Sequence, residues 1–194
     1  MRHPFPRNTK AMILAFVALT IPQFAFAQSR APETSMDKGK IQIPKSVQAE
    51  HKEIHATLVE ATKAPGRVGI AARKLAEVLD PHFVREEQIA LPPLGLLASL
   101  AAGIPLPEKA ASEALGMSDA LRSELPRMLE EHKAIHAAVE QLHLAARAEH
   151  ATKYEQLAEQ LALHAQTEEE VLYPAAVLIG GIIRARQQTK SPAR

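Results

Sequence analysis

Two hexapeptides carry the residues best suited to chemistry. Glu131-His132-Lys133-Ala134-Ile135-His136 places two histidines four residues apart, one turn along one face of a helix. Glu50-His51-Lys52-Glu53-Ile54-His55 is nearly the same unit, 81 positions earlier. Past the first histidine of each copy, 31 or 32 residues on, a histidine is followed four residues later by a glutamate: His82 with Glu86, and His164 with Glu168. The tails agree as well, one ending in Leu91-Pro92 and the other in Tyr173-Pro174. Imidazole nitrogens and carboxylate oxygens are the ligand set of iron, manganese and zinc, and without cysteine the balance leans to the first two. A carboxylate can bridge two ions, so two glutamates from equivalent helices suggest a pair of metals.

These side chains must be held by helices. With abundant Ala, Leu and Glu and few β-branched runs, the composition reads as all-α. The periodicity predicts a first helix from Ser46 to about Thr62, with an apolar stripe of Val47, Ile54, Leu58 and Ala61. After the Ala64-Pro65-Gly66 turn, a second helix carries Leu75, Leu79, His82, Glu86 and Ile89, and Pro81 should kink it. Residues 91–125 form a long insert. Its first part, to Pro107, has no charge and reads as a short apolar helix capping the others; the rest reads as a more polar connection with room for a short helix. A third helix is expected from Pro126 to about Ala148, and a fourth from Thr152, bent or ended at Pro174. His51, His55, His82, Glu86, His132, His136, His164 and Glu168 all fall on the apolar stripes, so all eight are expected to face the interior. Eight buried ionisable groups would outweigh a folding free energy of about 5–15 kcal/mol unless something binds them.

The start of the chain reads as an export signal. Arg2, Arg7 and Lys10 precede an apolar run from Ala11 to Ile21, and Ala25-Phe26-Ala27 is a small-x-small motif that predicts cleavage after Ala27. The run is too short to span a bilayer comfortably, so a periplasmic or secreted protein without a membrane anchor is expected. Three of the chain's 23 Lys and Arg and none of its 22 Asp and Glu lie in this segment, leaving a net charge of −2. That balance argues against a nucleic-acid partner. Without cysteine there is no disulfide framework, so a core or a metal must hold the fold. Residues 28–45 read as a flexible lead-in, 46–184 as one domain, and 185–194 as a basic tail. The oligomeric state is not legible.

The ordered set His51, His82 with Glu86, His132 with His136, and His164 with Glu168, closed by Leu172-Tyr173-Pro174, resembles the hemerythrin-like family, the HHE cation-binding domain. The resemblance covers about Ser46 to Pro174, interrupted by the insert. It implies an up-down four-helix bundle around a non-haem di-iron site. By similarity, His51 and His82 would serve one iron and His132, His136 and His164 the other, with Glu86 and Glu168 bridging. An open position on the first iron would take O2, peroxide or NO. His55 departs from the classical oxygen carriers, and either fills that open position or packs beside it. Glu169 rivals Glu168 as the second bridge. A closed metal-binding or storage site, or an enzyme that reduces peroxide or NO or oxidises Fe(II), remains the alternative.

Overall fold

The computed structural model describes residues 36–37 and 40–190. The expected signal segment and its cleavage site lie outside the described residues. Two antiparallel two-residue strands, β1 (Met36–Asp37) and β2 (Lys40–Ile41), precede a helical remainder. That remainder comprises α1 (Lys45–Ala61), α2 (Gly66–Ile89), a 3-10 turn (Pro92–Leu96), α3 (Leu97–Ala101), α4 (Glu108–Ala148), α5 (Thr152–Thr167), a π-turn (Glu168–Leu172) and α6 (Tyr173–Lys190).

The long helices bury residues at alternating steps of three and four, the spacing of a narrow seam that faces its neighbours. In α1 the seam is His51, Ile54, Leu58 and Ala61. In α2 it is Val68, Ala72, Leu75, Leu79, His82, Glu86 and Ile89. In the second half of α4 it is Met128, His132, Ile135, Val139 and Leu142, and in α5 it is Leu157, Leu161 and His164, carried on by Glu168. These four helices enclose one apolar core, of which Leu58, Leu75, Leu142 and Leu161 are fully buried members. A second core lies beyond, where the first half of α4 packs on α6 and is covered by Leu91, Leu94, Leu96 and Leu100 from residues 91–101. Ile41 closes its side. The six buried histidines and glutamates lie between the two cores.

Residues 108–125, expected as a connection, are instead the first half of α4, a rod of 41 residues and about 60 Å. Pro126, expected to start a helix, lies inside it, and Pro81 lies inside α2. Pro81, Pro126 and Pro174 all sit on exposed helix faces, where a carbonyl deprived of its partner can bond to water. Residues 185–190 of the expected basic tail continue α6.

Small residues let α4 and α6 approach closely. Ser118 is buried and donates a hydrogen bond to the Ala176 carbonyl at 2.7 Å, and a Cβ on Gly180 would lie 2.5 Å from the Ser118 Cβ. Gly180→Ala should therefore destabilise by about 1–3 kcal/mol, despite the roughly 1 kcal/mol alanine gains in an open helix. A urea midpoint that stays level or rises would contradict this crossing. No helix among the described residues is long and apolar enough to cross a membrane.

Candidate metal centre

Four histidines and two glutamates converge where the four helices meet. His51 comes from α1, His82 and Glu86 from α2, His132 from α4, His164 from α5 and Glu168 from the π-turn, and all are at most 3% exposed. They sort into two histidine pairs. His82 Nε2 lies 2.8 Å from His132 Nε2, and His51 Nε2 lies 3.1 Å from His164 Nε2. This differs from the grouping implied by resemblance, which put His51 with His82 and His132 with His164.

Each carboxylate reaches both pairs. Glu168 Oε1 is 3.0 Å from His164 Nε2 and 3.4 Å from His51 Nε2, while its Oε2 is 3.6 Å from His132 Nε2. Glu86 Oε1 is 3.3 Å from His82 Nε2, and its Oε2 turns toward His51 Nε2 at 3.9 Å. Both sets of donor atoms are close enough to share an ion: His82, Glu86, His132 and Glu168 on one side, His51, His164 and Glu168 on the other. Glu86 Oε2 is buried without a hydrogen-bond partner. An orphaned carboxylate oxygen in an apolar setting costs several kcal/mol, and a cation between it and His51 would satisfy it. The residues present therefore fit metal ions; the element is not fixed by these donors.

An outer ring of glutamates faces the far side of each imidazole. His132 Nδ1 meets Glu169 at 2.8 Å, His82 Nδ1 meets Glu131 at 2.9 Å, and His164 Nδ1 faces Glu50 at 3.3 Å. His51 Nδ1 has only the more distant Glu87, at 3.7 Å. A carboxylate at Nδ1 fixes the tautomer and leaves Nε2 free as a ligand. The sequence alone pointed to no such role for these glutamates, and Glu169 was expected as a rival bridge. The signal was present in the repeat, because Glu50 matches Glu131 and Glu87 matches Glu169.

Two expected ligands stand apart. His55 is exposed, with its nearest acid Asp80 at 3.9 Å, and His136 is exposed on α4 with its ring centroid 6.5 Å from that of His132. The reason is helical register. At positions 54 and 135, three residues after His51 and His132, isoleucines continue the buried seam, so the residue after each turns to the flank. His55 instead lines an open cleft of about 810 Å³ between α1 and α2, along with His51, Lys52, Asp80, Phe83 and Glu87. His143 faces Glu155 and Glu159 at the α4–α5 surface, where Arg147 already offsets the charge of Glu155.

The electrostatics of the metal-free cluster are uneven. Burial favours the neutral form of Glu86, the charge of Glu168 adds to this, and its pKa is raised. Burial acts the same way on Glu168, but hydrogen bonds from His164 and His51 overcome it and hold Glu168 at about 2. Burial opposes charge on His164, yet the hydrogen bond and charge of Glu168 raise it to about 8. A histidine raised above 6.5 contributes stability that is complete below that pH and lost as pH rises through 8. The metal-free chain should thus lose on the order of 2 kcal/mol between pH 6 and 9. Urea unfolding across that range checks it, and a flat profile would contradict the pairing.

Tyr173, from the motif that closes the ordered set, also reaches the cluster. Its hydroxyl donates to Glu86 Oε1 and lies 3.0 Å from His132 Nε2. No family model, curated protein or solved structure matches the chain.

Proposed function

We propose that this is a hemerythrin-like protein that holds two non-haem metal ions, iron ahead of manganese or zinc, and binds O2 or related small oxidants such as peroxide or NO. One observation carries the reading: Glu86 and Glu168 each turn one oxygen toward each histidine pair. Two carboxylates so placed would suit a pair of ions held between the two histidine pairs. Bound iron would supply reversible electron exchange with a small oxidant. The chain's own residues fix the ligands and keep the site dry. Glu131, Glu169 and Glu50 orient three imidazoles from outside, and Phe83 stacks on His51 and meets His164 edge-on.

The cleft that His51 helps to line favours an accessible site over a closed storage site. Filling the free position with His55 would require that residue to leave an exposed helix face. Export rests on the features of residues 1–27.

The reading is tested by loading the purified chain with Fe(II) without air, then admitting and removing O2. A visible spectrum that appears with O2 and disappears on deoxygenation supports small-oxidant binding. A spectrum that forms once and does not reverse favours storage or oxidase chemistry instead.

A further inference from the structure

We infer that Tyr173 supplies an oxygen ligand to the His82–His132 position, making the two metal positions chemically unequal; this rests on the two-metal reading above. Tyr173 is 1% exposed, and its hydroxyl meets three of the donors already assigned: Glu86 Oε1, His132 Nε2 at 3.0 Å and His82 Nε2 at 3.3 Å. His82 Nε2 in turn lies 2.8 Å from His132 Nε2 and 3.3 Å from Glu86 Oε1. Donors bound octahedrally at about 2.1 Å from one ion lie about 3.0 Å from each other along the octahedron's edges. The phenol oxygen's separations from the two imidazole nitrogens, 3.0 and 3.3 Å, suit such edges.

The local backbone accounts for its arrival there. Along α5 the buried seam runs Leu157, Leu161, His164, Glu168, and the next fully buried side chain is Tyr173, five residues on. The π-turn at Glu168–Leu172 inserts the additional residue. In a plain α-helix the seam would continue at positions 171 and 172; here Val171 is exposed, and Tyr173 turns inward. Single π-turns of this kind cost hydrogen-bond geometry and recur at functional sites.

The other half of the repeat has no counterpart. The position matching Tyr173 in the first unit is Leu91, which packs in the second apolar core. The His51–His164 pair carries Phe83 instead, stacked on His51 with ring centroids 4.2 Å apart, and the residue matching Phe83 is Ala165. One position therefore has a phenol, and the other has an apolar wall and the cleft. On metal binding, a metal–oxygen bond forms as the phenol O–H bond breaks, the proton goes to buffer, and no electron moves. An added anionic oxygen donor favours the trivalent ion at the His82–His132 position.

The chain has two tyrosines and no tryptophan, so the assignment is direct. The full chain, Tyr154→Phe and Tyr173→Phe are loaded with Fe(II), counted for iron and oxidised in air. Resonance Raman spectra are then excited in the visible band. Phenolate ring vibrations in wild type and in Tyr154→Phe, lost in Tyr173→Phe with helical circular dichroism retained, are the expected result. If Tyr173→Phe does not fold, the Tyr154→Phe spectrum decides alone, because Tyr173 is then the remaining tyrosine. Iron-loaded protein without phenolate vibrations, or vibrations that survive in Tyr173→Phe, overturns this inference and leaves the two-metal reading standing. A folded chain that takes up no iron removes both.

Discussion

Loading the chain with two equivalents of Fe(II) should raise its unfolding temperature by roughly 10–20 °C. A ligand present at a hundred times its dissociation constant stabilises the folded state by about 2.7 kcal/mol per site, so two sites give about 5 kcal/mol. In a protein of this size each kcal/mol shifts the midpoint by about 2–4 °C. The physical source is the strain of the metal-free cluster. Six buried ionisable groups, one of them an orphaned carboxylate oxygen, find in two cations the partners that the protein does not supply. His82→Ala and His164→Ala should each lose most of the shift. His55→Ala and His136→Ala should keep it, since both side chains lie on exposed faces. Thermal scans with and without iron separate these cases. A shift lost in His136→Ala would return that residue to the ligand set.

The second large effect distinguishes the two glutamates. They occupy equivalent places in the repeat, yet they carry charge differently in the metal-free chain. Glu168 is held ionised by His164 and His51, whereas burial and the charge of Glu168 push Glu86 toward its neutral form. Glu168→Gln leaves His164 charged or strands it, and should destabilise the metal-free chain by about 3 kcal/mol. Glu86→Gln replaces a group that burial and the charge of Glu168 already push toward its neutral form, and should cost less than Glu168→Gln does. Both should nevertheless lose the paired metal, because an amide cannot bridge two cations as a carboxylate does. Denaturant unfolding of chelator-treated variants, set beside metal counts, reads both effects. Equal destabilisation by the two variants would contradict the charge assignment.

The extent to which the sequence disclosed this arrangement follows from register and composition. The repeat located His51, His82, Glu86, His132, His164 and Glu168, and all six are buried together. It overstated His55 and His136, because the seam steps three residues, not four, past His51 and His132. Where four helices meet, the seam is narrow, and isoleucine at position 54 or 135 takes the interior place. That preference was readable in the hexapeptide, which puts an isoleucine directly before each second histidine. Residues 108–125 were harder to read. Their inward positions are Ala110, Ala114 and Ser118, small residues that permit close packing on α6 but give little hydrophobic periodicity. Tyr173 belonged to the motif that closes the set, but its inward turn depends on the π-turn, since a residue five places after Glu168 is off the seam in a regular helix.

The central claim is that Glu86 and Glu168 join two metal positions, and counting metal tests it most directly. Chain loaded with Fe(II) without air, freed of unbound metal and measured by elemental mass spectrometry should hold two ions. Glu86→Gln and Glu168→Gln should hold one or none. A folded wild-type chain that retains no metal, or one that retains two ions after both glutamates are replaced, would contradict the account.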